Sequence, residues 1–332
     1  MEKYLPPFTL DEDILGLVAE IAETVGRLSG AWDIERSLML RRINRVRTIH
    51  GSLAIEGNTL SVDQITAILE GKRVIAPPKE ILEVKNALAV YECFMDWFPE
   101  KEQHLLDAHL VLMKGLIVEA GQYRSGGVGV MAGEMVVHMA PPASRVPELV
   151  GNLLGWLSET GLHPLVASSV FHYEFEFIHP FSDGNGRMGR LWQSLILAKW
   201  NPVFGYLPVE SLVFARQQEY YQAIQESTRR SDSASFVRFM LQAILDAIQA
   251  MPPQVAPHVT PQVAKLLDLM DGEMGRAELQ KMFGLSDRKS FFERYLRPAL
   301  EAGLIERTRP AEPHSRLQKY RLTEKGRVRR MK

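Results

Sequence analysis

The sequence predicts a mainly α-helical chain, with one short β-hairpin in its helical core and a smaller basic module after a proline-rich break. Helical stretches recur, from near Ile34 into the run that stops at Gly57, from Pro164 to Glu176, from Met188 to Trp200 and from Phe214 to Thr228. Runs suited to strands are few and short. With 332 residues, 46% of them hydrophobic and 24% charged, the composition is that of an ordinary folded protein long enough for two or three domains.

In chain order, the first informative helix begins near Ile34 and runs into Ser52-Leu53-Ala54-Ile55-Glu56-Gly57-Asn58. Gly57 is a natural helix stop, and on the residues alone Glu56 is an exposed carboxylate just before a helix C-cap. Gly121 to Gly127 lead into Val128-Gly129-Val130-Met131, then Ala132-Gly133-Glu134, then Met135-Val136-Val137-His138. Two β-prone runs around a glycine turn read as a hairpin, either a bare surface loop or part of a site. A helix follows that ends at Trp156-Leu157.

Pro180 disfavours helical geometry at the residue before it, so His179 sits where the helix from Pro164 ends, above the loop Phe181-Ser182-Asp183-Gly184-Asn185-Gly186. Gly184 and Gly186 let the backbone curl so that successive N–H groups point inward, at the N-terminus of a helix spanning Met188 to Trp200. That makes an anion nest. Asp183 beside it can hold a hard divalent cation through one carboxylate, with phosphates completing the shell, as Mg²⁺ is usually held. Phe181 anchors the loop in the core. His172, interleaved with Phe171, Tyr173, Phe175 and Phe177, reads as a structural core histidine. Tyr220 and Tyr221 read as half-buried packing residues.

The run His179-Pro180-Phe181-Ser182-Asp183-Gly184-Asn185-Gly186-Arg187-Met188-Gly189-Arg190 resembles the signature of the Fic family, His-Pro-Phe-x-Asp/Glu-Gly-Asn-Gly-Arg-x-x-Arg, at every specified position. The resemblance implies a Fic helical core and a protein adenylyltransferase that moves AMP from ATP to a Ser, Thr or Tyr hydroxyl of a protein target. It implies His179 as general base, Asp183 as Mg²⁺ ligand, Gly184, Asn185 and Gly186 as the anion nest, and Arg187 and Arg190 as phosphate contacts. The Ser52 to Gly57 run resembles the family's inhibitory motif, Ser/Thr-x-x-x-Glu-Gly/Asn. By that resemblance Glu56 pairs with Arg190 and the enzyme is autoinhibited. The hairpin resembles the Fic flap, with Met135, Val136, Val137 and His138 holding the target by strand addition. Tyr220 and Tyr221 match an aromatic pair that lines the adenosine pocket in some members, although the asparagine expected two turns on is Thr228 here.

Residues 251–332 hold 17 Lys and Arg against 10 Asp and Glu, whereas residues 1–250 hold 22 against 30. The boundary falls at Met251-Pro252-Pro253-Gln254-Val255-Ala256-Pro257, a stiff linker. Helices from Pro261, from Arg276 to Phe283 and through Leu300, then strands at Gly303 to Arg307 and Lys319 to Leu322, look like a winged helix-turn-helix domain. Arg288, Lys289, Arg294, Arg297, Arg307, Arg309, Arg316 and Lys319 suit DNA phosphates or an acidic protein partner. The expected division is 1–110 with the inhibitory motif, 111–250 catalytic and 251–332 winged helix, with 258–332 as the DNA-binding candidate.

One cysteine, Cys93, rules out an intrachain disulfide and suits a reducing cytoplasm. No apolar leader or spanning run is present, so no membrane partner is expected. Self-modification and a homodimer stay open. So do a de-adenylylase or bifunctional enzyme of the same fold and a DNA-binding regulator with a Fic sensor core. The retained Gly186 argues against a Doc-like phosphotransferase, whose relatives lack that glycine.

Overall fold

The computed structural model describes residues 4–29, 34–132, 135–250, 261–285, 287–301, 303–309, 315 and 317–330. The proline-rich stretch Met251 to Pro257, Gly133 and Glu134 of the hairpin turn, and Arg316 lie outside them. So do the side chains of Met135, Val136, Val137, His138, Arg288 and Lys289. The chain forms two compact units, Met1–Met251 and Pro252–Lys332.

The first unit contains α1 (Glu12–Ser29), α2 (Ile34–Ile55), α3 (Val62–Leu69), α4 (Pro78–Cys93), α5 (Glu102–Met113), strands β1 (Gly129–Ala132) and β2 (Met135–Met139), then α6 (Val146–Glu159), α7 (Pro164–Ile178), α8 (Asn185–Trp200), α9 (Val209–Ala215), α10 (Gln217–Arg230) and α11 (Ala234–Gln249). Helix α7 is apolar on nearly every side, and every residue from Leu165 to Glu176 is buried. A helix of that kind belongs in the centre of a core. Helices α6, α8 and α11 pack around it, and Phe171, Phe175, Phe181, Trp192, Tyr220 and Phe236 fill the space between them. A smaller cluster of Val46, Ile49, Leu53, Leu60, Ile65 and Val84 supports the C-terminal half of α2.

Helix α2 also runs along α9. A Cβ on Gly51 would lie 2.6 Å from the Glu210 carbonyl and the Ser211 nitrogen, so only glycine permits this approach. The Ser211 hydroxyl donates to the Arg47 carbonyl at 2.9 Å, and the Gln217 amide donates to the Ile55 carbonyl at 3.0 Å. The end of α2 is thereby held in place.

Two boundaries differ from expectation. Helix α8 starts at Asn185 rather than Met188, because Gly184 takes the N-cap with φ of 86°. The stretch from Phe214 to Thr228 breaks at Arg216 (φ −119°, ψ 37°), leaving Phe214 in α9 and both tyrosines in α10.

The second unit contains α12 (Pro261–Leu269), β3 (Met274–Gly275), α13 (Arg276–Met282), α14 (Arg288–Phe291) continuing through a π turn at Phe292–Leu296 into α15 (Arg297–Glu301), β4 (Ile305–Arg307), β5 (Lys319–Leu322) and α16 (Glu324–Arg330). Strand β5 is central, with β3 and β4 antiparallel on either side. The sheet thus has one strand more than expected; two residues carry no alternation to read. Leu266, Leu279, Phe291, Leu296, Leu304 and Tyr320 give this unit its own core. Arg297 pairs with Glu293 at 2.8 Å, and Arg321 with Glu306 at 2.6 Å and Glu273 at 3.3 Å. Among the described residues no helix is long and apolar enough to cross a membrane.

Candidate active site

His179 closes α7 in the left-handed region (φ 52°, ψ 62°), while its N–H still donates to the Phe175 carbonyl at 2.9 Å. This conformation costs a non-glycine residue about 1 kcal/mol, and Arg124 Nε holds it by donating to the His179 carbonyl at 2.7 Å. The imidazole remains 19% exposed. Its Nδ1 lies 3.4 Å from the Glu176 carbonyl, and a carbonyl only accepts. The contact therefore selects the Nδ1–H tautomer and leaves the lone pair on Nε2.

The loop after His179 is locked from both sides. Phe181 is fully buried and stacks on His109, with ring centroids 3.6 Å apart and planes within 5°. The Gly121 N–H donates to His109 Nδ1 at 2.9 Å, so the ring proton is on Nε2 and is donated to the Asp183 carbonyl at 3.0 Å. Burial brings the pKa of His109 down to about 4, which keeps the ring neutral. The Asn185 side chain accepts from the Phe181 N–H at 2.9 Å and donates to the Phe181 carbonyl at 2.8 Å. Both amide atoms of the Asn185 side chain thus tie the loop to itself.

The half-exposed Asp183 accepts through Oδ1 from the Gly184 N–H at 2.5 Å and from Arg187 Nη2 at 3.2 Å. Arg187 is buried and lies 3.6 Å from Glu83, and among the described residues its buried Nε has no hydrogen-bond partner. A buried orphan donor beside a helix N-terminus suits an anion.

The end of α2 meets α8 at this loop. Leu53 accepts from Asn58 N–H at 3.1 Å and Ala54 from Gly57 N–H at 3.0 Å, with Gly57 at φ of 89°. This is a Schellman cap with Glu56 as the C-cap residue that follows Ile55. From there the Glu56 carboxylate accepts from Arg190 Nη2 at 2.6 Å. Arg190 also donates to the Ser52 hydroxyl at 3.2 Å and the Ser52 carbonyl at 3.0 Å. A Cβ built on Gly186 would lie 2.6 Å from Glu56 Oε1, so the carboxylate stands directly over the first turn of α8.

Strands β1 and β2 form the expected hairpin, with Gly129 opposite Met139 and Val130 opposite His138. The register then shifts to place Met131 opposite Val136, leaving Val137 as the extra residue. Tyr220 is buried, and its hydroxyl meets His172 Nε2 at 3.2 Å, so it packs in the core rather than lining an open pocket. Tyr221 is half-buried and accepts from the Gln217 amide at 3.3 Å. Thr228 meets the Tyr173 hydroxyl at 3.1 Å. His172 is fully buried against Gln193 at 2.6 Å, and burial brings its pKa down to about 3.

Arg124, His109, Glu176 and Glu210 escape the sequence reading. Burial raises Glu176 to about 8, against the opposing influence of Arg190, and its Oε2 lies 3.8 Å from His179 Nδ1. None of the four belongs to a recognisable motif; the folded chain brings Arg124, His109 and Glu176 to the loop that starts at His179, and Glu210 to the junction of α2, α8 and α9.

The Fic/DOC family model matches residues 98–197. The model described as "Filamentation induced by cAMP protein Fic-like, C-terminal domain" matches residues 261–323. A crystal structure of a Fic family protein from Desulfovibrio desulfuricans G20 is 52% identical with a TM-score of 0.74, covering 97% of this chain and 99% of that one. Protein adenylyltransferase Fic of Nematostella vectensis is 29% identical over 214 residues, covering 61% of this chain and 47% of the relative. Protein adenylyltransferase fic-1 of Caenorhabditis briggsae is 32% identical over 229 residues, covering 62% and 42%. This chain thus spans somewhat less than half the length of these curated relatives. A mainly helical fold with a histidine and two arginines gathered at one helix N-terminus defines the class, and the chain belongs to the Fic family.

Proposed function

We propose that the chain is a protein adenylyltransferase that moves AMP from ATP to a Ser, Thr or Tyr hydroxyl of a protein target, and that Glu56 holds it shut. One observation carries this reading. His179, with its lone pair on Nε2, shares a single loop with the N-terminus of α8 and with the buried guanidinium groups of Arg187 and Arg190. Curated relatives bearing the adenylyltransferase name support it.

In this reading His179 takes the proton of the target hydroxyl as its oxygen closes on the α-phosphorus. N–H groups of the first turn of α8, with Arg187 and Arg190, stabilise the phosphate charge, and pyrophosphate leaves. Asp183 is the residue that would hold Mg²⁺. Among the described residues no group of three or more His, Cys, Asp or Glu could hold a metal ion. That donor set fits a cation bound through one carboxylate, water and the nucleotide itself. When bound, the ion neutralises phosphate charge. Glu56 opposes nucleotide placement by occupying the Arg190 guanidinium and by standing over Gly186. We read the second unit as a winged helix that takes no part in the transfer.

The test is incubation with α-labelled ATP and Mg²⁺, with and without lysate. His179→Ala is expected to lower labelling by on the order of 10²–10⁴ while nucleotide affinity stays near that of the parent. Labelling at the parental rate in that variant would sink the assignment.

A further inference from the structure

We propose that Arg124 is a positioning residue that fixes the β1–β2 hairpin against the His179 backbone; it rests on the transferase reading only for what the hairpin would hold. Arg124 is 3% exposed. Among the described residues its acceptors are all main-chain carbonyls: His179 at 2.7 Å from Nε, Gly126 at 2.8 Å from Nη1, and Pro141 at 2.5 Å and Ile178 at 3.4 Å from Nη2. Its own N–H donates to the Pro180 carbonyl at 3.0 Å.

Those partners fall into two groups. Gly126 lies just before β1 and Pro141 just after β2, so two arms of the guanidinium tie both stems of the hairpin. Ile178 and His179 end α7, where the last carbonyls are unsatisfied and the helix dipole favours a cation. One rigid planar group therefore joins the hairpin to the residue that would act as base, and it braces that residue in its left-handed conformation. A lysine keeps the charge but presents it as a point, with no fixed fork to span both groups. A target segment added to the hairpin edge would be set in register with His179 through this group. Reaction geometry is sensitive to such placement, since an error near 1 Å costs about 10²-fold in rate.

The experiment uses the full chain carrying Arg124→Lys, alone and combined with Glu56→Gly. Hydrogen exchange is followed over residues 126–141, with peptides from α8 as internal reference. Labelling from α-labelled ATP is followed across nucleotide concentrations. Exchange over 126–141 should accelerate about tenfold or more with α8 unchanged, as expected when backbone hydrogen bonds that anchor a segment are lost. Labelling at saturating ATP should fall about tenfold or more relative to Glu56→Gly alone, with the half-saturating ATP concentration unchanged. Unchanged exchange over 126–141 overturns the proposal. So does faster exchange with full labelling, and so does acceleration of α8 to the same extent, which would make Arg124 a general structural tie. If Arg124→Lys does not fold, Arg124→Gln is read by the same criteria. If Glu56→Gly labels nothing, the transferase reading fails, and exchange alone decides whether Arg124 anchors the hairpin.

Discussion

Arg190 carries the regulatory argument at the level of single residues. Its guanidinium is buried and bound by three oxygens, two from Ser52 and one from Glu56. Removing one partner of a buried pair is usually costly, but the Glu56 side chain is 33% exposed and its share is screened accordingly. Under the proposed function, a brake built on this pair would be firm enough to populate and weak enough to lift. Ser52 would add to it, because its hydroxyl accepts from Arg190 on the side facing α2. Ser52→Ala removes one neutral acceptor worth about 1 kcal/mol, so basal labelling should rise about fivefold, less than on loss of Glu56. Steady-state labelling of the two variants side by side checks this; no rise in Ser52→Ala would mean that the hydroxyl does not help to hold the closed state.

At the level of elements, the position of Glu56 depends on how α2 docks. Glu210, in the first turn of α9, lies where α2, α8 and α9 meet: its Oε1 accepts from Ser194 at 2.9 Å, and the carboxyl group is buried. Burial raises its pKa to about 7, opposed by backbone, Ser194, Arg190 and Thr48 contacts. Unfolded, a glutamate titrates near 4.3. Between these values the folded chain binds more protons than the unfolded one, so this group's contribution to stability is greatest at low pH. It is lost as pH rises through about 7, at up to about 1.4 kcal/mol per pH unit. Glu210→Gln does not titrate. Denaturant midpoints at pH 5, 6, 7 and 8 should show the stability difference moving toward the variant up to about pH 7 and levelling above. A difference constant across that range would refute a buried, neutral Glu210.

At the scale of the whole molecule, the chain divides into two units, each with a hydrophobic core. All groups assigned to transfer lie in the first, so a chain ending at Met251 should label within about twofold of the full-length protein in a Glu56→Gly background, as expected for additive, distant parts. A loss beyond tenfold would give the second unit a role in transfer. The helical class, the hairpin and the signature loop were legible because each rests on local signals: glycines at left-handed positions, a proline after the histidine, a turn between two β-prone runs. The meeting of Glu56 with Arg190 was legible only through the resemblance of the Ser52 to Gly57 run to a family motif, since on the residues alone Glu56 is a carboxylate before a helix stop. The supports were not legible. His109, Arg124 and Glu210 act through contacts with residues distant in sequence, and nothing around them in the chain sets them apart from other polar residues on helices and loops. Tyr220 shows the converse, since a residue that matches the family's aromatic pair is held inward by packing and by its contact with His172, which only the fold reveals. Strand β3 was missed for want of length, and Arg216 broke a helix that composition alone would continue.

The central claim is that Glu56 holds a competent transferase shut. Its most direct test is the initial rate of label incorporation from α-labelled ATP with Mg²⁺, compared among the parent chain, Glu56→Gly and Glu56→Gly combined with His179→Ala. If the closed state outweighs the open one by about 100 to 1, a bias of roughly 2.7 kcal/mol, its loss should raise the rate by up to about two orders of magnitude, and the double variant should fall below the parent. A folded Glu56→Gly protein that labels no faster than the parent would contradict the account.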